Sequence, residues 1–210
     1  MRWENVTHVN PAPGFIAPCL LTVAPRVPTG ALWVHEVKHD GYRLLVRKSE
    51  GRVRIYTWRG ADWTKRFPLI VEGAMRLRAR SFYLDGEGVI CGTDGVALFD
   101  ELHSRTNDHA VFLYAFDLLE HDDDDLRPLP LQDRKRRLRS LLGKRRSRIV
   151  YNDHLKGDGA AFFEHACKLG CEGIVSKRSD LPYRSGRAKS WLKIRTRTAR
   201  LCCVLRRGLF

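Results

Sequence analysis

Seven short segments rich in β-branched and aromatic residues, each bounded by glycine, aspartate, serine or charged residues, constrain the fold of this chain more than any other feature. They are "ALWVHEVK" (31–38), "YRLLVRK" (42–48), "RVRIYTW" (52–58), "SFYLDGEGVICG" (81–92), "VFLYAFDLLEH" (111–121), "CEGIVSKR" (171–178) and "SWLKIR" (190–195). The first three, separated by "HDG" and "SEGR", read as an antiparallel meander. The fourth reads as a strand pair, and the fifth as a buried strand because its apolar run is continuous. The last two read as strands joined by the polar loop "SDLPYRSGRAK".

Helical signals fall between these segments. A helix is expected from near Pro68 in "TKRFPLIVEGAMRLRA", a short one in "VALFDELHSR", and one in "GDGAAFFEHACKLG" closed by Gly170. "LQDRKRRLRSLL" spaces its leucines for a helix whose basic face is solvated. The proline-rich stretch 1–30 (Pro11, Pro13, Pro18, Pro25, Pro28) forbids regular helix and suggests an extended segment wrapping the domain. One α+β domain dominated by antiparallel strands is the expectation.

The 38 lysines and arginines against 24 acidic residues leave a formal charge of +14, which favours an anionic partner such as a nucleic-acid backbone. Six cysteines, at 19, 91, 167, 171, 202 and 203, form no CxxC pair and no Cys/His set at zinc spacing, so reduced, mostly buried thiols are expected. Four consecutive aspartates in "HDDDDLRP" read as hydrated surface rather than a metal site. No apolar run is long enough for a bilayer and the N-terminus has no signal-peptide core, so no membrane partner and a cytoplasmic location are expected.

Chemistry concentrates at a few positions. Lys38 stands directly before an Asp-Gly signal, and a lysine becomes a nucleophile only when it is unprotonated and held in one direction. Strand alternation puts Trp191, Lys193 and Arg195 on one face, with Lys177 on the neighbouring strand, so two basic strands converge where a lysine and a polyphosphate would meet. Glu87 and Glu172 each sit beside glycine in a strand, where backbone approaches a ligand closely. Each of them reads equally well as a metal or ribose ligand and as a strand-edge charge.

Taken in order, "KHDGYR", "LDGEGV", "YAFDLL", "CEGIVSKR" and "WLKIR" resemble the motifs of the covalent nucleotidyltransferase superfamily of ATP-dependent DNA ligases, RNA ligases and mRNA capping enzymes. "DLRPLPLQDRKRRL", "GDGAAFF" and "YRSGRAKSWLKIR" are similar to the adenylation domain of the bacterial ligase D type used in end joining; the resemblance covers about residues 14–197. It implies an antiparallel-sheet-rich, ATP-grasp-like nucleotidyltransferase fold in 31–197, preceded by the extended segment 1–30 and followed by an atypical tail, 198–210. It implies also that Lys38 attacks ATP to form lysyl-AMP, that AMP passes to the 5′-phosphate of nicked double-stranded DNA, and that the 3′-hydroxyl displaces it. In that scheme Arg43 holds a nucleotide or nick phosphate, Glu87 the ribose, and Phe116 stacks on adenine. Glu172 binds Mg2+ or Mn2+, Lys193 and Arg195 meet the α-phosphate, Glu36 lies on the adenine side and Lys177 near the phosphates. The bacterial cytoplasm is the implied location.

Three departures from the family pattern stand out. In "TWRGADWT" Trp58 occupies the place of the arginine that contacts the nick 5′-phosphate, and strand alternation sends Arg59 to the opposite face. The family carries an OB-fold after "WLKIR", for which the remaining residues are too few, so a separate OB-fold or end-joining protein is the expected partner. The tail itself, with paired cysteines, resembles nothing in the family. Two other readings keep the same residues: a remnant that binds nucleotide or DNA without ligating, and an RNA ligase or guanylyltransferase.

Overall fold

The computed structural model describes residues 14–92, 98–143 and 147–196. In chain order its elements are β1 (Cys19–Val23), β2 (Trp33–Val37), β3 (Tyr42–Ser49), β4 (Arg52–Thr57), α1 (Pro68–Met75), β5 (Phe82–Val89), α2 (Phe99–Ser104), β6 (Phe112–His121), β7 (Asp124–Asp125), α3 (Leu131–Leu142), β8 (Ile149–Tyr151), β9 (Leu155–Lys156), α4 (Gly159–Lys168), β10 (Gly173–Arg178) and β11 (Gly186–Arg195). Among the described residues the strands form two sheets, ordered β1-β11-β10-β2-β9 and β4-β3-β5-β6-β7, with β8 added beside β6. All pairings are antiparallel except β1 with β11 and β6 with β8.

Two expectations give way here, both through glycine. β2 and β3 are not neighbours in a meander: β2 pairs β10 in the first sheet and β3 pairs β4 and β5 in the second. "KHDG" is therefore a crossover between sheets, and a β-carbon at Gly41 would lie 2.2 Å from the carbonyl oxygen of Gly88, so only glycine passes. Likewise "LDGEG" is one continuous strand rather than a pair. Gly86 is there for close approach, since a β-carbon would lie 2.9 Å from the Tyr114 carbonyl oxygen on β6.

The second sheet buries its outer face under helices: Leu44, Val46, Ile55, Leu84 and Leu118 meet Ile70 and Ala74 of α1, Leu102 of α2 and Leu138 and Leu142 of α3. Its inner face turns toward the first sheet, where Leu45, Tyr56, Tyr83 and Phe116 join Val34, Tyr183 and Trp191 in a second cluster. α4 covers the far side of the first sheet with Phe162 and Ala166 against Val37, Ile174 and Ile194. At about 25 cal/mol per Å² of apolar surface these layers supply the driving force, and they set two inner faces opposite each other around a cleft.

α3 departs from the expected solvated basic face. Leu131, Leu138 and Leu142 are buried as the spacing requires, but so are Arg134 and Lys135. Arg134 grips Asp117 of β6 through two hydrogen bonds of 2.8 Å, with both side chains sealed from solvent.

The aspartates of 122–125 keep to the surface reading: Asp122 accepts from the Arg80 and Ser81 backbones, Asp124 pairs with Arg137, and Asp125 with Arg127. Cys19, Cys167 and Cys171 are in no disulfide, whereas Cys91 is disulfide-bonded, against the expectation of reduced cysteines throughout. Cys202 and Cys203, with the segment before Gly14 and the tail, lie outside the described residues. No described helix is long and apolar enough to cross a membrane.

Candidate active site

Lys38 follows the last residue of β2. Its backbone N–H donates to the carbonyl of Gly173 (3.0 Å), and its ammonium donates to Glu172 Oε2 at 2.5 Å, so main chain and side chain are tied to the start of β10. The two side chains are 16% and 15% exposed, at the mouth of the cleft. Arg195 Nε stands 3.6 Å from the other Glu172 oxygen. Lys193, paired with Val175 across β10 and β11, has its basicity lowered by burial and by the charges of Arg195 and Lys38. Lys38, Glu172, Lys193 and Arg195, read separately from the sequence, thus share one neighbourhood.

The opposing wall belongs to the second sheet. Arg43 and Glu87 are cross-strand partners on β3 and β5. The Arg43 guanidinium donates to both oxygens of Asp85 (2.5 and 2.7 Å) and lies 4.5 Å from the centre of the Phe116 ring. Burial opposes its charge, but Asp85 prevails and strengthens its basicity. Asp85 also accepts from the Tyr183 hydroxyl at 2.7 Å. Burial pushes the Glu87 carboxyl up to about 7, although Arg43 and Lys38 pull the other way.

Between the walls lies a buried charged network. Burial alone would raise the Glu36 carboxyl; the ammonium groups of Lys135 (2.6 Å) and Lys177 (2.7 Å) overrule it and hold it at about 2. Asn152 donates to the same carboxylate at 3.2 Å. Burial, with Lys135 nearby, lowers Lys177 to about 8 despite Glu36, and its ammonium sits 4.1 Å from the Phe116 ring centre and 4.0 Å from that of Trp191. Lys177 is therefore the direct neighbour of Glu36. His39 stacks on Tyr114 with centroids 4.2 Å apart and donates from Nε2 to Asn152 Oδ1 at 2.9 Å. Burial holds His39 down at about 4, so it is neutral, and its Nδ1 has no hydrogen-bond partner.

Asp85, His39, Lys135 and Asn152 were not singled out from the sequence. Lys135 left a signal: it stands four residues after Leu131 and three before Leu138, on the apolar stripe of α3. Asp85 left one too, as the residue that shares a strand face with Glu87. Trp58 is 45% exposed in the turn after β4, and the Arg59 guanidinium lies 4.5 Å from its ring centre. Arg59 does not go to the opposite face, because the strand ends at Thr57 and the turn brings both side chains together.

Glu36, Val37, Lys38, His39, Arg43, Glu87, Phe116, Val175, Lys177 and Trp191 are among the residues lining an open cleft. Apolar and aromatic walls with a few convergent charges suit a flat ring carrying phosphates. As to a metal, the carboxylates at the mouth offer hard oxygen donors: burial and the charge of Glu172 raise the Asp40 carboxyl. Among the described residues no three His, Cys, Asp or Glu side chains are grouped to hold an ion by themselves. The donor set fits a cation of the magnesium type, which takes one or two carboxylates and completes its shell with water and substrate phosphates.

Comparison with known proteins agrees with this geometry. The family model described as ATP dependent DNA ligase domain matches residues 25–195. The multifunctional non-homologous end joining protein LigD of Pseudomonas aeruginosa is 35% identical over 190 residues, 89% of this chain and 22% of that protein. The crystal structure of the ligase domain from M. tuberculosis LigD superposes with a TM-score of 0.74 at 35% identity, over 85% of this chain and 59% of the other. A mycobacterial DNA ligase D complexed with ATP and MES gives 0.72 at 34% identity, over 85% and 60%. The chain thus spans about a fifth of the LigD protein, 22%, and three fifths of the solved ligase chains. With the family model matching from residue 25, just after β1, to the end of β11, the chain belongs to the family of ATP-dependent DNA ligase domains.

Proposed function

We propose that this chain is the adenylation part of an ATP-dependent DNA ligase acting in end joining, with Lys38 as its nucleophile. The observation that carries the reading is the 2.5 Å contact between Lys38 and Glu172 at the cleft mouth, with Arg195 and Lys193 beside it. An ammonium must lose its proton to solvent before it attacks, and the contact with Glu172 fixes the direction in which the Lys38 amine points. The amine then forms a bond to the α-phosphorus of ATP as the bond to pyrophosphate breaks, leaving a lysyl-AMP phosphoramidate. In the second step a 5′-phosphate oxygen of nicked DNA takes the AMP and frees the lysine. In the third, the 3′-hydroxyl gives its proton to solvent and forms the phosphodiester bond to that phosphate as the bond to AMP breaks.

Nucleotidyl transfer asks the protein for position and charge more than for covalent chemistry. Lys193 and Arg195 offset the charge that develops on the α-phosphate, and Glu87 accepts from a ribose hydroxyl. Phe116 supplies a ring for the adenine, with Glu36 on the same side and Lys177 toward the phosphates. Arg43 is the cation for a nucleotide or nick phosphate once Asp85 shares its fork. A magnesium or manganese ion bound when ATP is present, with Glu172 as its protein ligand, supplies neutralisation of the phosphates. The likeness to relatives covers only part of their length, so complete sealing is proposed for the assembled ligase.

The test is a chase: protein labelled with AMP, freed of ATP, is mixed with 5′-phosphorylated nicked duplex. The reading expects label to leave the protein and appear on the DNA 5′ end. Label that stays on the protein with an intact nick supports nucleotide binding without ligation.

A further inference from the structure

β4 sends its two sides to different places. Val53 and Ile55 enter the core under the helices, while Tyr56 enters the cluster between the sheets with Leu45 and Phe116. Trp58 follows Thr57, the last residue of β4, which pairs with Leu44, the neighbour of Arg43 on β3. The turn beneath Trp58 is held by three hydrogen bonds: Thr57 N–H to Ala61 O (2.9 Å), Gly60 N–H to Thr57 O (2.9 Å) and Ala61 N–H to Thr57 Oγ1 (3.1 Å). Trp58 is 45% exposed, and Arg59 covers one face of its ring at 4.5 Å. The nearest carboxylate in the turn, Asp62, is engaged by Arg54 (2.8 Å) and the Thr64 N–H (2.8 Å). Among the described residues no carboxylate pairs with Arg59.

We propose that Trp58 and Arg59 form a two-part contact for one unpaired nucleotide of the DNA substrate: its base stacks on the open indole face and its phosphate meets the Arg59 guanidinium. The proposal rests on the DNA ligase reading and deepens it. A flat ring fixed on a hydrogen-bonded turn is a stacking platform that accepts any base. A guanidinium stacked on that ring keeps its hydrogen-bonding edge free for a phosphate. Bases inside a paired duplex are already stacked, so this pair selects DNA ends with an unpaired nucleotide beside the junction over a fully paired nick. The chain's +14 charge draws either substrate in, and the stack decides between them.

Fluorescence anisotropy of the full chain with two labelled DNAs tests this: a fully paired nicked duplex, and the same duplex carrying unpaired nucleotides at the 5′ side of the nick. Titrations run from about 50 to 200 mM salt, where phosphate contacts register as the slope of log affinity against log salt. Trp58→Ala is expected to weaken the unpaired substrate roughly tenfold and the paired one by less than about twofold, with the salt slope unchanged. Trp58→Phe restores most of the loss. Arg59→Gln lowers the salt slope by about one, and Arg59→Lys preserves it. Equal loss on both DNAs, or no change in either variant, overturns the contact. A wild-type chain that binds neither DNA overturns the ligase reading itself and this inference with it.

Discussion

Helix α3 delivers two consecutive cations to two buried carboxylates, and the pairs differ in what else can reach them. Arg134 and Asp117 close on each other with two 2.8 Å bonds and no exposure, outside the cleft lining. Lys135 closes on Glu36, but Glu36 also takes Lys177 and Asn152, and all but Lys135 line the cleft. The first pair fastens a helix to a sheet. The second is a shared charge that positions groups where a nucleotide would sit. The lesson is that a buried ion pair declares its role by its remaining neighbours rather than by its burial.

The comparison breaks most readily at Arg134. Arg134→Met leaves Asp117 charged and sealed, and the expected cost is about 3–5 kcal/mol of stability, read from urea unfolding. Lys135→Met leaves Glu36 with two other donors, so a smaller loss, about 1.5–3 kcal/mol, is expected together with weaker ATP binding. Equal stability losses with unchanged ATP affinity for Lys135→Met would erase the distinction.

Acid sharpens it further. Glu36 is held at about 2 against 4.5 when unstructured, so its contribution is full above about pH 4.5 and is lost as pH falls toward 2. Glu87 runs in the opposite sense: raised from 4.5 to about 7, its contribution is full below 4.5 and is lost as pH rises through 7. Glu87→Gln is therefore expected to gain stability at pH 8 relative to wild type and to change little at pH 4. A variant whose difference from wild type is the same at both pH values would contradict the burial of that carboxyl.

Much of this architecture is legible in the residues. The helix over Leu131–Leu142 was expected at those bounds because leucine spacing is a strong local signal, and β6 followed from its apolar run. Local signals failed where the reason was distant. "HDG" looks like a hairpin turn, yet Gly41 is required by the carbonyl of Gly88, 47 positions away in sequence. The basic residues of α3 look solvated because a buried arginine and lysine are rare without partners, and their partners, Asp117 and Glu36, lie on strands that sequence order does not place beside the helix. For the site, motif order brought Lys38, Glu87, Phe116, Glu172 and Lys193 forward, and the structure gathers Lys38, Glu87 and Phe116 into one cleft lining with Glu172 and Lys193 at its mouth. His39 and Asn152 gave no such signal, since a histidine or asparagine in a linker is ordinary until its partner is known.

The central claim is that Lys38 is a nucleophile toward ATP. Intact-protein mass after incubation with ATP or GTP and magnesium or manganese, with Lys38→Ala alongside, tests it directly. A gain of one AMP from ATP is expected for the wild type and none for the variant. An adduct that persists in Lys38→Ala, or no adduct at long times with manganese, would contradict it.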